Sequence, residues 1–440
     1  MQKAQPLLAS IDLQPIMQRP DARLQVGFSG GLDSTVLLHL LAQHFPDRLR
    51  ALHVHHGLQT VADDWARHCE AVCADLAVPF ERIDVQIDPT DPAGPEAAAR
   101  RERYNALRSR LAAGDGLVTA HHRDDQAETV LLRLLRGTGV HGLAGMRQVA
   151  EFAPGWIWRP LLAIPRNELQ AYAQSQGLRW IEDPHNVEPR YARSWLRTQV
   201  IPQLQPRFPQ VSRSLARTAQ LAAEACELLD QLASQDLVEV AAGAALQVEP
   251  LLQLGSARRH NLLRYWLRGQ GFEVPPANEL TRIAGEVLAA AVDAEPRFAW
   301  SGCELRRFRG LLFVMAPLAA VPLDWSMDWR DGATLQLPAG CGELHAAHPP
   351  QGGLRLRFPR AGESFRPAGA AHQRTLKNLF QEAGVPPWAR RRLPVIESAG
   401  EILAVAGLGH AQAWEAQRAD TIGALEWRHS LAGLRSPLAL

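Results

Sequence analysis

The sequence predicts an α/β protein in three parts: a parallel sheet covered by helices at the N-terminus, a helical middle domain, and a small α+β C-terminal domain. Three observations carry this expectation. Over the first 185 residues, short apolar runs alternate with segments of helical period. After Pro202 the alternation stops and long helical periodicity takes over, and from about Asp324 short strand-like runs between Gly and Pro turns dominate. The expected domains are 1–205, 206–323 and 324–440, in keeping with 440 residues being too many for one ordinary core.

In chain order, strands are expected at Leu24–Phe28, Leu49–His55, Phe80–Val85, Gly116–Ala120 and Trp156–Leu161. Helices are expected between them at Asp33–Ala42, Val61–Leu76, Glu96–Leu111 and Asp124–Leu135. In the second of these helices Val61, Trp65, Cys69, Val72 and Leu76 step by three or four and share one face. Ligands of such sheets sit outside the carboxyl ends of the strands. The segment "PRFPQV" marks the first boundary. Ser212–Val240 then reads as one long helix with the apolar set Leu215, Leu221, Leu228, Leu229 and Leu232. Helices at Ser256–Leu267 and Ala277–Ala291 and a strand pair around Gly310 complete the middle region, and one helix, Leu376–Ala383, interrupts the C-terminal strands.

Composition narrows the class. With 46% hydrophobic and 21% charged residues the chain is an ordinary globular protein, and its net charge of +1 means that any affinity for nucleic acid must come from local patches. The five cysteines, Cys69, Cys73, Cys226, Cys303 and Cys341, form no Cys-x-x-Cys pair and suggest neither a disulfide framework nor a zinc ribbon. No signal-peptide pattern opens the chain, and its longest apolar run, Leu311–Leu323, is broken by Pro317 and Pro322. A cytoplasmic location is expected.

The stretch "QVGFSGGLDSTVLLHLL", Gln25 to Leu41, joins a buried strand to an apolar helix through a turn of almost no side chains. Two glycines let the backbone approach a ligand, and the helix start offers unpaired N–H groups and a partial positive charge, which together make an anion cradle. The spacing is neither Gly-x-x-x-x-Gly-Lys-Ser/Thr nor Gly-x-Gly-x-x-Gly. A carboxylate inside a phosphate loop repels its ligand unless a divalent cation mediates, so Asp33 points to magnesium. "SGGLDS" resembles the pyrophosphate loop of the ATP-pyrophosphatase (PP-loop) superfamily, whose members adenylate a substrate oxygen and release pyrophosphate.

Further constellations lie at other strand ends. "HVHHGL", His53 to Leu58, places His53 and His55 on one strand face and His56 at the turn. A backbone-bonded structural role and a zinc site are open to them, and the PP-loop resemblance implies a third, a place beside the nucleotide. "EAAARRERYNAL" sets Arg100, Arg103 and Tyr104 on one side of a helix, either as a solvated basic face or toward negative charge. "TAHHRDDQAETVLLRLLRGTG", Thr119 to Gly139, brings His121, Asp124, Asp125 and Glu128 to a strand end and the first turns of a helix. Acids there complement the helix dipole, but a carboxylate pair could also hold magnesium or the ammonium of an amine substrate. Between Leu354 and Leu393, nine Arg and Lys side chains stand against only Glu363 and Glu382, a local excess suited to an RNA backbone.

Taken in order, "SGGLDSTVL", "HVHHGL", "ARRERY", "AHHRDDQAET" with "RGTG", "RPLL" at Arg159, "EDPHN" at Glu182 and the tail "RTLKNLFQEAGVPPWARRRLPVI" with "LAVAGL" resemble the tRNA(Ile)-lysidine synthetase family. Two positions depart from its pattern: His185 stands where a small Ser is usual and Ser194 where Asn is usual, so the contacts of Asp183, Asn186 and Arg193 are not carried over. The resemblance implies a PP-loop, adenine nucleotide α-hydrolase-like fold for the first domain and tRNA-binding roles for the other two. It implies adenylation by ATP of the carbonyl oxygen at C2 of the wobble cytidine in tRNA(Ile) with a CAU anticodon. The side-chain amine of L-lysine then displaces AMP to give lysidine.

In that reading Ser29, Gly30, Gly31, Leu32, Asp33 and Ser34 bind ATP, and Asp33 and Asp125 hold Mg2+. Asp125 and Glu128 serve the metal or the lysine amine, Arg100 and His121 stabilise charge, and Lys377, Arg390, Arg391 and Arg392 meet the tRNA. A PP-loop tRNA thiolase would need reactive cysteines, and a non-catalytic ATP-binding regulator of RNA would not need the acid-rich third motif. The oligomeric state is open, a homodimer being one candidate.

Overall fold

The computed structural model describes residues 5–55, 62–88, 90–92, 94–182, 192–291, 294–322, 324–330, 334–346, 354–412, 414, 425–434 and 438–439. His56, Asp183, His185 and Asn186 lie outside the described residues. The chain divides into two compact units, Met1–Leu228 and Leu229–Leu440.

The first unit is built on a six-stranded sheet. Its strands are β1 (Leu24–Gly27), β2 (Leu49–His55), β3 (Phe80–Asp84), β4 (Gly116–Val118), β5 (Val149–Phe152) and β6 (Gly155–Trp158), in the order β3-β2-β1-β4-β6-β5. The pairs β1–β2, β2–β3, β1–β4 and β4–β6 are parallel, as strand–helix alternation requires, and β5 adds an antiparallel edge. That edge strand is absent from the sequence reading because Val149–Phe152 is short and only half-buried, with too little apolar patterning to show. Helices α1 (Leu32–Ala42), α2 (Ala62–Asp75), α3 (Pro95–Arg108), α4 (Arg123–Leu135) and α5 (Arg166–Ser175) connect the strands.

Both faces of the sheet are covered. Leu24, Val26 and Trp158 pack with Val36, Leu37 and Leu40 of α1 and Leu169 of α5, while Leu52, Leu117 and Ile157 pack with Ala106 and Leu107 of α3 on the other side. Helix α1 is apolar nearly all round and buried, the pattern of a central helix. Strand order reverses between β1 and β4, so the loops after these two strands open on the switch point where ligands of such sheets bind. A wide π-type turn, Leu196–Val200, follows the short helix Ala192–Trp195.

A 30-residue helix, α6 (Val211–Val240), confirms the long helical period but not its expected face. Ala219, Ala222, Cys226, Ala233 and Val240 are buried, whereas Leu221 and Leu228 are 55% and 67% exposed. Small residues at 3–4 spacing form the seam here, and a count of large apolar residues points to the wrong stripe.

The second unit holds two cores. In the first, helices α7 (Ser256–Gly269) and α8 (Ala277–Ile283) pack on a sheet of β7 (Ala241–Ala242), β8 (Ala245–Gln247), β9 (Arg297–Trp300), β10 (Cys303–Phe308) and β11 (Leu311–Met315). The expected strand pair around Gly310 is the β10–β11 hairpin at the centre of this five-stranded sheet. The second core, around Trp329, Leu356, Phe380 and Trp427, is formed by short antiparallel strands and helix α9 (Leu376–Glu382), whose start is capped by Thr375. No helix among the described residues is long and apolar enough to cross a membrane.

Candidate active site

The loop after β1 is shaped by glycine and serine. Gly30 has φ +78°, and a Cβ there would lie 2.7 Å from Cys69 Sγ and 3.0 Å from Ile181 Cδ1, so both conformation and space exclude a side chain. Ile181 N–H donates to Gly30 O (2.9 Å), tying the loop down. Ser34 Oγ donates to Gly31 O (3.1 Å) and lies 3.0 Å from Ser29 Oγ, and Ser29 N–H and Gly31 N–H donate to Ser34 Oγ and Ser29 Oγ. Gly31 precedes α1 and offers no side-chain cap, which leaves the first-turn N–H groups without a capping side chain; Leu32 anchors the turn in the core. Asp33, in that first turn, has a buried Oδ1 with no hydrogen-bond partner; the nearest cation, Arg166 Nε, is 3.7 Å away.

The loop after β4 meets this one through His122. Its Nδ1 accepts the N–H groups of Asp124 (3.2 Å) and Asp125 (3.4 Å), and Asp125 Oδ2 accepts the His122 N–H (3.1 Å), so the pair forms a reciprocal cap on α4. With Nδ1 an acceptor, the ring proton sits on Nε2, 3.6 Å from Asp33 Oδ2 and 3.4 Å from Asp125 Oδ2. Burial opposes charge on this ring, but the interaction with Asp33 and the charges of Asp125 and Asp124 outweigh it and hold its pKa above that of free imidazole. Protonating Nδ1 would forfeit the cap, which opposes the cation in turn.

Arg197, on the π-type turn, closes the acid cluster. Its Nε and Nη2 donate to Glu128 Oε1 (2.6 Å) and Oε2 (3.1 Å), and Nη2 also donates to Asp125 Oδ1 (2.8 Å). Glu128 is fully buried; burial raises its pKa although Arg197 pulls it down. Asp124 Oδ2 accepts the Arg166 N–H (2.9 Å). Of the four carboxylates Asp33, Asp124, Asp125 and Glu128, Asp33 has the Arg166 guanidinium as ion-pair partner and Asp125 and Glu128 share that of Arg197, while Asp124 has the Arg166 backbone N–H and His122 (3.8 Å) among the described residues. The surplus is negative, and it suits an ammonium or a divalent cation.

An opposite surplus lies next to it. Arg100 stacks over the Tyr104 ring at 5.1 Å and Arg103 at 5.8 Å. Burial and mutual repulsion lower the pKa of Arg103 and Arg159, and no carboxylate pairs with Arg100, Arg103 or Arg159 among the described residues. Arg159 Nη1 donates to Arg147 O (2.7 Å), while its Nε is buried without a partner. His121 lies 2.9 Å from Thr119 Oγ1; burial pushes its pKa down to about 3, against the pull of Asp125 and helped by Arg159, Arg100 and Arg103. Its ring is neutral at ordinary pH, so positive charge here comes from the arginines.

The expected site residues of the first domain therefore gather in one place: the loop Ser29–Ser34 and Asp125 around His122, with Glu128 and His121 adjoining. Asp125 accepts from Arg197 at Oδ1 and from the His122 N–H at Oδ2, while Asp33 keeps a buried Oδ1 without a hydrogen-bond partner. No three His, Cys, Asp or Glu side chains converge as a metal cage among the described residues. Magnesium needs no such cage, since phosphates and water complete its shell.

His53 Nδ1–H donates to the backbone at Phe28 O (2.9 Å), and His55 lies 3.4 Å from Asp63 and 3.2 Å from Asp84. All five cysteines are buried, and burial pushes Cys69, Cys73 and Cys303 up to about 12, far from the thiolate chemistry of a sulfur-transfer enzyme.

In the C-terminal region Lys377 and Arg391 are exposed and Arg390 is half-buried. Arg392 is a correction: it is 6% exposed, with Nη1 donating to Ala339 O (3.3 Å) and Nη2 to Ala319 O, so it holds the fold and cannot reach an RNA backbone. Sequence reasoning also passed over Arg197 and His122. Arg197 lies 69 residues from Glu128, with no local signal. His122 had one: a residue able to accept N–H bonds, three before an acid, opening a helix.

Comparison with known proteins adds to this geometry. A PP-loop domain family model matches residues 6–204, a TilS substrate binding domain model residues 246–313, and a TilS substrate C-terminal domain model residues 354–427. The chain is 43% identical over 439 residues to the tRNA(Ile)-lysidine synthase of Xanthomonas axonopodis pv. citri (strain 306), covering 96% of this chain and 97% of that protein. It is 44% identical over 408 residues to the protein of that name from Methylococcus capsulatus (strain ATCC 33009 / NCIMB 11132 / Bath), covering 88% and 92%. With its counterpart from Coxiella burnetii (strain RSA 493 / Nine Mile phase I) it shares 40% identity over 406 residues, covering 89% and 90%.

Proposed function

The chain belongs to the tRNA(Ile)-lysidine synthase family, and on that premise we propose which of its residues carry each part of the reaction. The protein is an ATP-dependent carbon–nitrogen ligase with a PP-loop domain. It converts the wobble cytidine of tRNA(Ile) with a CAU anticodon to lysidine. One observation supports the residue assignment above others: His122 draws Asp33 of the anion loop and Asp125 of the acid cluster to within 3.6 Å of a single ring nitrogen.

ATP phosphates sit against the Gly30–Ser34 loop and the uncapped N–H groups at the start of α1. Magnesium suits the open Oδ1 of Asp33, and when bound it neutralises phosphate charge. The cytidine C2 oxygen attacks the α-phosphorus, the bond to pyrophosphate breaks, and the activated C2 carries AMP through that oxygen. Arg100, Arg103 and Arg159, which have no carboxylate partners among the described residues, hold the phosphates or the departing AMP. The lysine ε-ammonium occupies the negative surplus at Asp125 and Glu128, loses a proton there, and attacks C2; the C2–O bond breaks and AMP leaves. Catalysis of this kind is positioning and electrostatics, with no protein nucleophile.

The domain assignment follows the same reading: 1–205 for ATP and catalysis, with 206–323 and 324–440 binding tRNA through exposed groups such as Lys377 and Arg391. The test is lysine- and tRNA-dependent formation of AMP and pyrophosphate, with the product nucleoside identified by mass. Lysidine is the expected product; a sulfur-containing nucleoside, or ATP turnover independent of lysine, would overturn the assignment.

A further inference from the structure

In the second unit a cleft of about 410 Å³ opens between its two cores, lined by Arg307, Phe308 and Arg309 of the β10–β11 hairpin, by Gln381 and Arg390 from the C-terminal core, and by Glu295. Its walls are fixed to each other. Trp388 packs edge-on against Phe308 (6.0 Å) and Phe313 (5.6 Å), lies under Arg306 (5.5 Å), and donates from Nε1 to Ala432 O (3.0 Å).

The three cleft arginines are held by backbone carbonyls. Arg307 Nη1 donates to Leu288 O (2.9 Å) and Ala290 O (2.7 Å), Arg309 Nη2 to Gln381 O, and Arg390 Nε to Val385 O (3.0 Å). Each keeps further N–H groups for another acceptor, since a guanidinium has five. None has a carboxylate at ion-pair distance among the described residues. Glu295 acts on Arg390 only from farther off, against repulsion by Arg309. Arg309 is also in an unusual place. It occupies the first position of a two-residue hairpin turn at φ 48°, followed by Gly310 at φ 73°, where Asn or Gly is the comfortable residue. A long cationic side chain kept there, and aimed across the cleft at Gln381, has a use other than turning the chain.

We propose that this cleft clamps a backbone phosphodiester of the bound tRNA, with Arg307 and Arg309 gripping it from one core and Arg390 from the other. Preorganised guanidinium forks match phosphate oxygens, and a net positive, carbonyl-braced cleft with an aromatic wall suits a nucleotide unit. The inference rests on the tRNA-modifying reading above. It assigns to Arg390 a role inside a built site, distinct from the open surface carrying Lys377 and Arg391.

The test uses the full chain and an unmodified tRNA(Ile) transcript with a CAU anticodon, its binding followed by anisotropy over a salt series. Arg309→Asn and Arg390→Gln are the variants. Asn suits the turn, so the first variant should melt no lower than the parent, and a change in binding then reports the lost charge. Each lost phosphate contact should flatten the salt dependence by roughly 0.7–0.9 log units per decade. Extrapolated from 1 M salt to 0.15 M, that is roughly a four- to fivefold weaker Kd. Unchanged Kd and slope in both variants, with lysidine still formed by the parent, would refute the cleft and leave the enzymatic reading standing. If the parent neither binds nor modifies this tRNA, both readings fall together. AMP or inorganic phosphate binding at submillimolar concentration, lost in Arg309→Asn while the tRNA slope holds, would also overturn the proposal in favour of a small-anion site.

Discussion

Replacing Glu128 by Gln separates a substrate-binding carboxylate from a structural one. In the folded protein Glu128 is fully buried, and both its oxygens are engaged by Arg197, whose side chain is 38% exposed and also bonded to Asp125. Breaking a buried pair by removing one partner costs about 3–5 kcal/mol in general. Here Arg197 keeps Asp125 and is partly hydrated, the amide oxygen can retain one bond, and the burial penalty on the charged Glu128 disappears. A loss of about 1 kcal/mol in unfolding free energy is the expected remainder. The kinetic effect should be larger. A charge-assisted hydrogen bond to the lysine ammonium is worth about 1.5–3 kcal/mol, so kcat/KM for lysine should fall about ten- to hundredfold. The assay is AMP release with lysine varied at saturating ATP and tRNA, beside urea unfolding of both proteins. A stability loss near 1 kcal/mol with kcat/KM for lysine within twofold of the parent would refute the reasoning and leave Glu128 as the partner of Arg197 alone.

Three further outcomes follow from the geometry. Asp33→Asn should bind ATP weakly and lower pyrophosphate release at least about a hundredfold, because a neutral amide cannot hold the cation that shields the phosphates; near-parental release would remove the loop from the chemistry. Arg392→Ala should destabilise the second unit by about 2–4 kcal/mol in calorimetry or urea unfolding, since buried carbonyls at Ala339 and Ala319 lose their donor, whereas Arg391→Ala should stay within about 0.5 kcal/mol and instead flatten the salt slope of tRNA binding. His121 is held neutral when folded, with a pKa lowered to about 3. Below pH 6.5 the unfolded chain takes up a proton that the folded one does not, so this ring's contribution is present above pH 6.5 and is lost as pH falls toward 3. Between pH 7 and pH 5 the parent should therefore lose about 2 kcal/mol more stability than His121→Gln, and parallel urea curves for the two would contradict the burial of that ring.

Local chemistry determined what was legible in the linear chain. The alternation of strand and helix signals specified a covered parallel sheet, because period and burial are written residue by residue. "SGGLDS" specified a tight strand-to-helix turn, since a positive-φ glycine, an uncapped helix start and a first-turn carboxylate are all sequence-local features. The acids of "HHRDDQAE" were placed correctly at the start of a helix for the same reason. Tertiary structure alone decided the partners. Which of two adjacent histidines faces Asp33 depends on the turn out of β4, which leaves His121 half-buried beside arginines and makes the buried His122 the helix cap. Arg197 reaches Glu128 across 69 residues of chain, and Arg392, third in an arginine run, turns inward to carbonyls while its neighbour Arg391 stays in water. Charge can be counted along a sequence, but the energy of each charge is set by solvent exposure and by the groups within a few ångströms, and those are properties of the packed chain.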